Sequence, residues 1–119
     1  MVEGIVGIRR WTCNAEGVAN HAGTTPMDQR HDALLAAARA SLLVRQEVRA
    51  EPGRQVGTVG YLRAEPGARN IVPGRAEFPI EVRDLSAEKI EAIAARIFSG
   101  LRRIEQRSEE RRVGKECRL

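Results

Sequence analysis

His21, Asn70 and Arg83 are the side chains through which this sequence could do chemistry. His21 lies in NHAGTTPM, Asn20 to Met27, a polar, glycine-containing run outside any regular hydrophobic pattern. Loops at the edges of rigid elements often carry binding groups, and an imidazole there can donate to a carboxylate or a developing oxyanion. A purely local hydrogen bond is the competing reading of His21. Asn70 can donate and accept through its amide, but Asn beside a tight turn is also a good turn residue. Arg83 falls at the end of a strand pattern on its polar side, where a guanidinium could clamp a carboxylate through paired donors. The plainer reading of Arg83 is a surface ion pair with Glu81, Asp84 or a helix acid.

Other chemistries lack their parts. His21 and His31 stand ten positions apart without an HExxH unit, Asp28 and Asp32 complete no three-ligand zinc set, and no metal site is expected in this chain. His31 reads as a solvated helix residue. Gly4, Gly7, Gly17 and Gly23 form no dinucleotide or phosphate loop, so no nucleotide cofactor is implied. Cys13 and Cys117 form no CxxC unit; a disulfide between them is the alternative to two thiols, and neither carries a functional claim.

The formal charge of +4 is shared between two regions. Residues 107–119 hold five basic and three acidic groups, and the first 106 hold fifteen and thirteen, so each part contributes +2. In the larger part the two signs are interspersed and aromatic content is only 3%, which argues against a nucleic-acid partner. The apolar stretch LLAAARASLLV is broken by Arg39 and is too short to span a bilayer, and MVEGIVGIRRW lacks the features of a secretory signal. No membrane partner is expected, and the location expected is cytoplasmic.

The elements that must position the three residues follow from pattern. Arg9 to Glu16 alternates as a strand, with Trp11 and Cys13 on one side. Gly17 to Thr25 either extends it or turns out of it. Asp28 to Glu51 is rich in helix formers, with Leu34, Leu35, Ala38, Leu42, Arg45 and Val48 tracing a face, Thr25 or Asp28 as cap, and Pro52-Gly53 as stop. Gln55 to Glu65 reads as a strand weakened by Gly57 and Gly60, and PGARNIVPG as a loop. Arg75 to Arg83 alternates cleanly, Phe78, Ile80 and Val82 inward; Pro79 makes it an edge strand or one with a local irregularity. Ser86 can cap a second helix, Leu85 can staple Ile90, and Ile90, Ile93, Ile97, Leu101 and Ile104 form one stripe.

The order is β-α-β-β-α, which points to an α+β, ferredoxin-like two-layer sandwich: an antiparallel sheet with two helices on one face. A fourth strand should complete it, and RSEERRVGKECRL is too charged to supply one, so the last strand is expected to be missing or replaced. Ser108 to Leu119 resembles translated vector or adaptor sequence and is expected to be foreign to the domain or disordered.

GIVGIRRW (Gly4 to Trp11), NHAGTTPM, RHDALLAAA (Arg30 to Ala38), TVGYLRAEPGARNIVPG (Thr58 to Gly74) and EVRD (Glu81 to Asp84) occur in one order. Together they resemble the dimerisation, or lid, domain of the N-carbamoyl-L-amino-acid hydrolase, allantoate amidohydrolase and beta-ureidopropionase family. That family is a branch of the di-zinc aminoacylase and carboxypeptidase group. The resemblance implies a lid inserted between two parts of a catalytic domain and pairing as a homodimer. It implies that His21 reaches into the partner subunit's active site in a catalytic and substrate-binding role. Asn70 would contact the bound substrate and Arg83 would grip its carboxylate.

The implied parent reaction is hydrolysis of a carbamoyl or ureido amide of a small acid, with water activated between two divalent ions, zinc or manganese. The ligands for those ions and the general base are expected outside this chain, which alone should be inactive. On this reading residues 1–7 connect to the absent catalytic domain, 8–106 form the lid, and 107–119 are tail. The alternative is a stand-alone homodimerisation module without enzymatic activity.

Overall fold

Alternation in two ten-residue segments builds the centre of the domain. In a computed structural model, which describes residues 7–107, β1 (Gly7–Glu16) lies antiparallel to β6 (Arg75–Asp84), with Trp11 opposite Ile80, Cys13 opposite Phe78 and Ala15 opposite Ala76. Those six side chains and Val82 turn to one face and are buried. Both helices cover that face. On the other, helix-free face stand Arg10, Thr12, Asn14, Glu77, Pro79, Glu81 and Arg83, by the two-residue period of a strand.

α2 (Ala87–Arg107) follows its sequence pattern. Ser86 Oγ accepts from Lys89 N at 3.2 Å, and Ile90, Ile93, Ile97, Leu101 and Ile104 are all buried. Each such side chain contributes about 1.5–3 kcal/mol on leaving water, so this stripe holds the helix to the sheet. Leu85 is 49% exposed. The edge of the Trp11 ring meets Phe98 at 5.3 Å and 84°, and Arg9 pairs with Glu91, which pins α2 over β1.

α1 corrects the sequence reading twice. It spans Ala33–Val48, and neither Thr25 nor Asp28 caps it: Asp32 Oδ1 accepts from Leu34 N at 3.0 Å and Leu35 N at 3.3 Å. Asp28 sits in a separate one-turn 3₁₀ helix, Met27–Gln29. The half-buried His31 is not helical; it bridges to Val18. The buried face is Ala33, Ala36, Ala37, Ala40, Val44 and Val48, whereas Leu34, Ala38 and Leu42 are exposed. Four alanines let the helix backbone approach the sheet closely, which rotates the larger leucines outward. Gln55 then closes the helix, its Nε2 donating to Val48 O and Glu51 O at 2.8 Å each.

Gln55 to Glu65 is not one strand. β3 (Val56–Thr58) and β4 (Arg63–Glu65) both pair with β6, giving the order β1-β6-β3 with β4 further along β6. Between them four residues, 59–62, oppose three, 78–80. This one-residue slip falls opposite Pro79, which has no N–H to give. Pro79 therefore lies in the central strand, and the irregularity it demands appears in its neighbour.

The segment after β1 turns out of the sheet. β2 (Asn20–His21) and β5 (Ile71–Val72, inside the expected loop) form a separate antiparallel ladder. The fold is thus an α+β two-layer sandwich with an antiparallel sheet and two helices on one face, consistent with a ferredoxin-like arrangement. Among the described residues no strand pairs with the outer edge of β1. The expectations for Ser108 to Leu119, and a pairing that involves Cys117, lie outside the described residues.

Candidate functional site

The NHAGTTPM run folds back on His21. The His21 carbonyl accepts from Thr24 N at 3.4 Å, Thr25 N at 3.1 Å and Thr25 Oγ1 at 2.7 Å. Thr25 thus closes a turn around His21 instead of capping a helix. Gly23 N donates to His21 Nδ1 at 3.0 Å. Because a backbone amide can only donate, Nδ1 is the unprotonated nitrogen and the proton sits on Nε2. The exposed imidazole therefore presents a single N–H donor to solvent. A Cβ on Gly23 would stand 3.0 Å from His21 Cε1 and 3.3 Å from Nδ1, so glycine is what allows the amide this close to the ring.

Asn70 is brought beside His21. The β2–β5 ladder pairs His21 with Ile71, and Ala22 N donates to Asn70 O at 2.8 Å. The Asn70 side chain is exposed at the end of that ladder. Between them the two residues offer an imidazole N–H and an amide, which suits binding of an oxygen-rich ligand.

Arg83 is elsewhere. It lies at the far end of β6, eight residues from Arg75, about 26 Å along a strand at ~3.3 Å per residue. The β2–β5 ladder is tied to the opposite end, where Gly17 N donates to Gly74 O at 2.9 Å. Arg83 Nε donates to Glu81 Oε2 at 2.6 Å, while Arg10 Nε donates to Glu81 Oε1 at 2.8 Å. The hydrogen bonds from Arg83 and then Arg10 hold the Glu81 carboxyl below the ordinary glutamate range. Glu81 fixes the guanidinium by Nε and leaves its two Nη groups without a partner among the described residues. That free edge has the geometry for a second carboxylate. A depression of about 280 Å³ adjoins this set on the helix-free face, lined in part by Thr12, Thr58, Pro79 and Glu81.

Sequence reading missed Arg30, which it placed inside a helix. Arg30 Nη2 donates to Ala22 O at 2.6 Å and its Nε to Thr25 O at 3.1 Å. Its signal was the single Arg between a Pro-led turn and the helix cap, in a stretch where the carbonyls need donors.

Among the described residues no group of three or more His, Cys, Asp or Glu side chains converges as a metal site. The two divalent ions implied by resemblance thus find no ligand set on these residues.

A two-layer α+β domain with a helix-free polar face and a His-bearing ladder at one end is the class this fold defines. A model described as the peptidase dimerisation domain matches residues 4–108, and the chain belongs to that family. It is 43% identical over 88 residues to an N-carbamoyl-L-amino acid amidohydrolase of Geobacillus stearothermophilus, covering 74% of this chain and 21% of that protein. Over 85 residues it is 41% identical to an allantoate amidohydrolase of Bacillus subtilis, covering 70% and 20%. A solved putative amidohydrolase/peptidase from Burkholderia cenocepacia superposes with a TM-score of 0.85 at 33% identity, covering 90% of this chain and 26% of that one. The chain spans about a fifth of the length of these curated relatives. The match stops at residue 108, and no comparison supports a vector origin for the residues beyond it.

Proposed function

We propose that this chain is the substrate-clamping lid of a longer, metal-dependent amidohydrolase acting on an N-carbamoyl-L-amino acid, allantoate or a related ureido acid. Residues 8–106 are the lid, and the metal ligands, for zinc or manganese, and the general base lie in catalytic sequence outside it. His21 donates from Nε2 to the oxygen that gains charge during amide hydrolysis, Asn70 binds the same ligand, and Arg83 takes the substrate carboxylate on its Nη edge. The similarity to amidohydrolases supports the reaction class, and the charge of Arg83 supports an acidic substrate.

The observation that carries the reading is the separation of Arg83 from the His21–Asn70 ladder. One small ureido acid cannot bridge the length of β6. The clamp is therefore built from two lids, with His21 and Asn70 from one subunit and Arg83 from its partner. The exposed apolar row Leu34, Ala38 and Leu42 on α1 supports a homodimer through that face. The same row supports the second reading, a homodimerisation module with no catalytic partner.

Subunit complementation in the full-length protein tests this. His21→Ala and Arg83→Ala should each keep their metals and lose most of kcat/KM. Mixed one to one and allowed to exchange subunits, the two should recover about a quarter of wild-type activity, because half the dimers are mixed and one of their two sites is intact. No recovery would refute the two-lid clamp, and full activity in both single variants would refute the assigned roles.

A further inference from the structure

We propose that Arg30 is the positioning residue for His21: its guanidinium locks the 21–25 turn so that the imidazole is held as an Nε2–H donor facing a ligand oxygen. This rests on the clamp reading above for its functional consequence, and on the turn geometry alone for its structural part.

The base from which Arg30 reaches is fixed on both sides. Val18 N donates to the carbonyl of the next residue, His31, at 2.8 Å, and Ala33 N donates to Pro73 O at 3.0 Å. Asp32, between them, caps α1. The backbone around Arg30 is therefore tied to the exit from β1, to the approach to β6 and to the first turn of the helix. From that base the half-buried guanidinium bonds the carbonyls of Ala22 and Thr25, the two shoulders of the turn.

Between those shoulders lies Gly23, whose amide reads the ring at Nδ1. A rigid fork with two donors suits two carbonyls in a way that one ammonium does not. If Arg30 lets go, Ala22 and Thr25 lose their shared anchor, the Gly23 amide swings away from Nδ1, and the exposed ring is free to rotate and to exchange tautomers. A share of the neutral imidazoles would then carry the proton on Nδ1 and present a lone pair where the ligand oxygen needs a proton. The fixed positive charge behind the turn further favours a ligand with anionic oxygen.

Two measurements decide it. In this chain, two-bond ¹H–¹⁵N correlation above the ring's titration should show His21 as one tautomer, Nε2 protonated and Nδ1 not. Arg30→Gln should draw the two nitrogen signals together, with amide dispersion in α2 and β6 unchanged; a wild-type pattern would overturn the proposal. Should Arg30→Gln fail to fold, Arg30→Lys, which keeps the charge but not the fork, makes the same comparison: partial averaging supports the lock and none refutes it. In the full-length protein Arg30→Gln should lower kcat by about 10- to 100-fold with a smaller change in KM, the effect of a misplaced group, and Arg30→Lys should fall between. Loss of activity in His21→Ala with none in Arg30→Gln would refute the positioning role. Full activity in His21→Ala would refute the clamp reading and leave the tautomer result to judge the lock.

Discussion

The amide of Ala22 donates to the carbonyl of Asn70 across 2.8 Å, and this bond joins two loops that are 48 positions apart in the chain. It uses only backbone from Asn70, so the side chain is free for another task. Asn70→Ala should therefore leave the urea unfolding free energy within about 0.5 kcal/mol of wild type. In the full-length protein it should still raise KM severalfold. A large loss of stability would show that the side chain serves the turn.

Gly17 sits where the chain leaves β1 and passes against His31. A Cβ there would collide with the His31 carbonyl, 2.8 Å from its carbon and 3.1 Å from Ala33 N. Both obstacles are backbone and cannot rotate away. Gly17→Ala should cost about 1–3 kcal/mol in urea unfolding, as expected of overpacking at a rigid contact. It should also broaden the His21 ring signals, because the base of Arg30 moves with His31.

Leu42 is 69% exposed on α1. Leu42→Glu should change monomer stability by no more than about 0.5 kcal/mol, since little is buried there. If the α1 face joins two copies, the same change should shift sedimentation from dimer to monomer. An unchanged dimer would move the interface elsewhere.

Glu81 gives the fold a dependence on acid. Its folded carboxyl is held below the ordinary range by hydrogen bonds from Arg83 and Arg10. A depressed folded value means that the stabilisation is present above the unfolded value and is lost as pH falls through the folded one. The three side chains are 29%, 35% and 66% exposed, so water screens them and the effect belongs at the low end of about 0.2–1 kcal/mol. Glu81→Gln should be slightly less stable than wild type at neutral pH, and the two should converge below about pH 4. Urea midpoints across that range provide the check.

The elements legible in the sequence are those whose period was intact. β6 and α2 each keep one apolar repeat through their length and β1 keeps its own from Trp11 to Ala15, and burial follows those repeats. α1 misled because size was taken for burial. Which face turns inward depends on how closely two layers approach, and only small side chains at Ala33, Ala36, Ala37 and Ala40 permit the observed spacing. The split after Thr58 was hidden because its cause, Pro79, lies on another strand. His21 was legible as an unusual residue in an unusual run, but Arg30 was not, since a continuous helical composition masks a residue whose work is done by two hydrogen bonds back to the turn before it.

The slip opposite Pro79 has a consequence for the life of the molecule in a crowded cell. A sheet edge invites any extended peptide to add itself as a further strand. Here the edge is offered as two three-residue pieces out of step by one position, so a foreign strand that matches the first arrives with its side chains reversed at the second. The proline inside the sheet thus sets the character of the rim on the β3–β4 side alone, where no added strand can keep one register along its whole length, while the neighbouring polar face stays open.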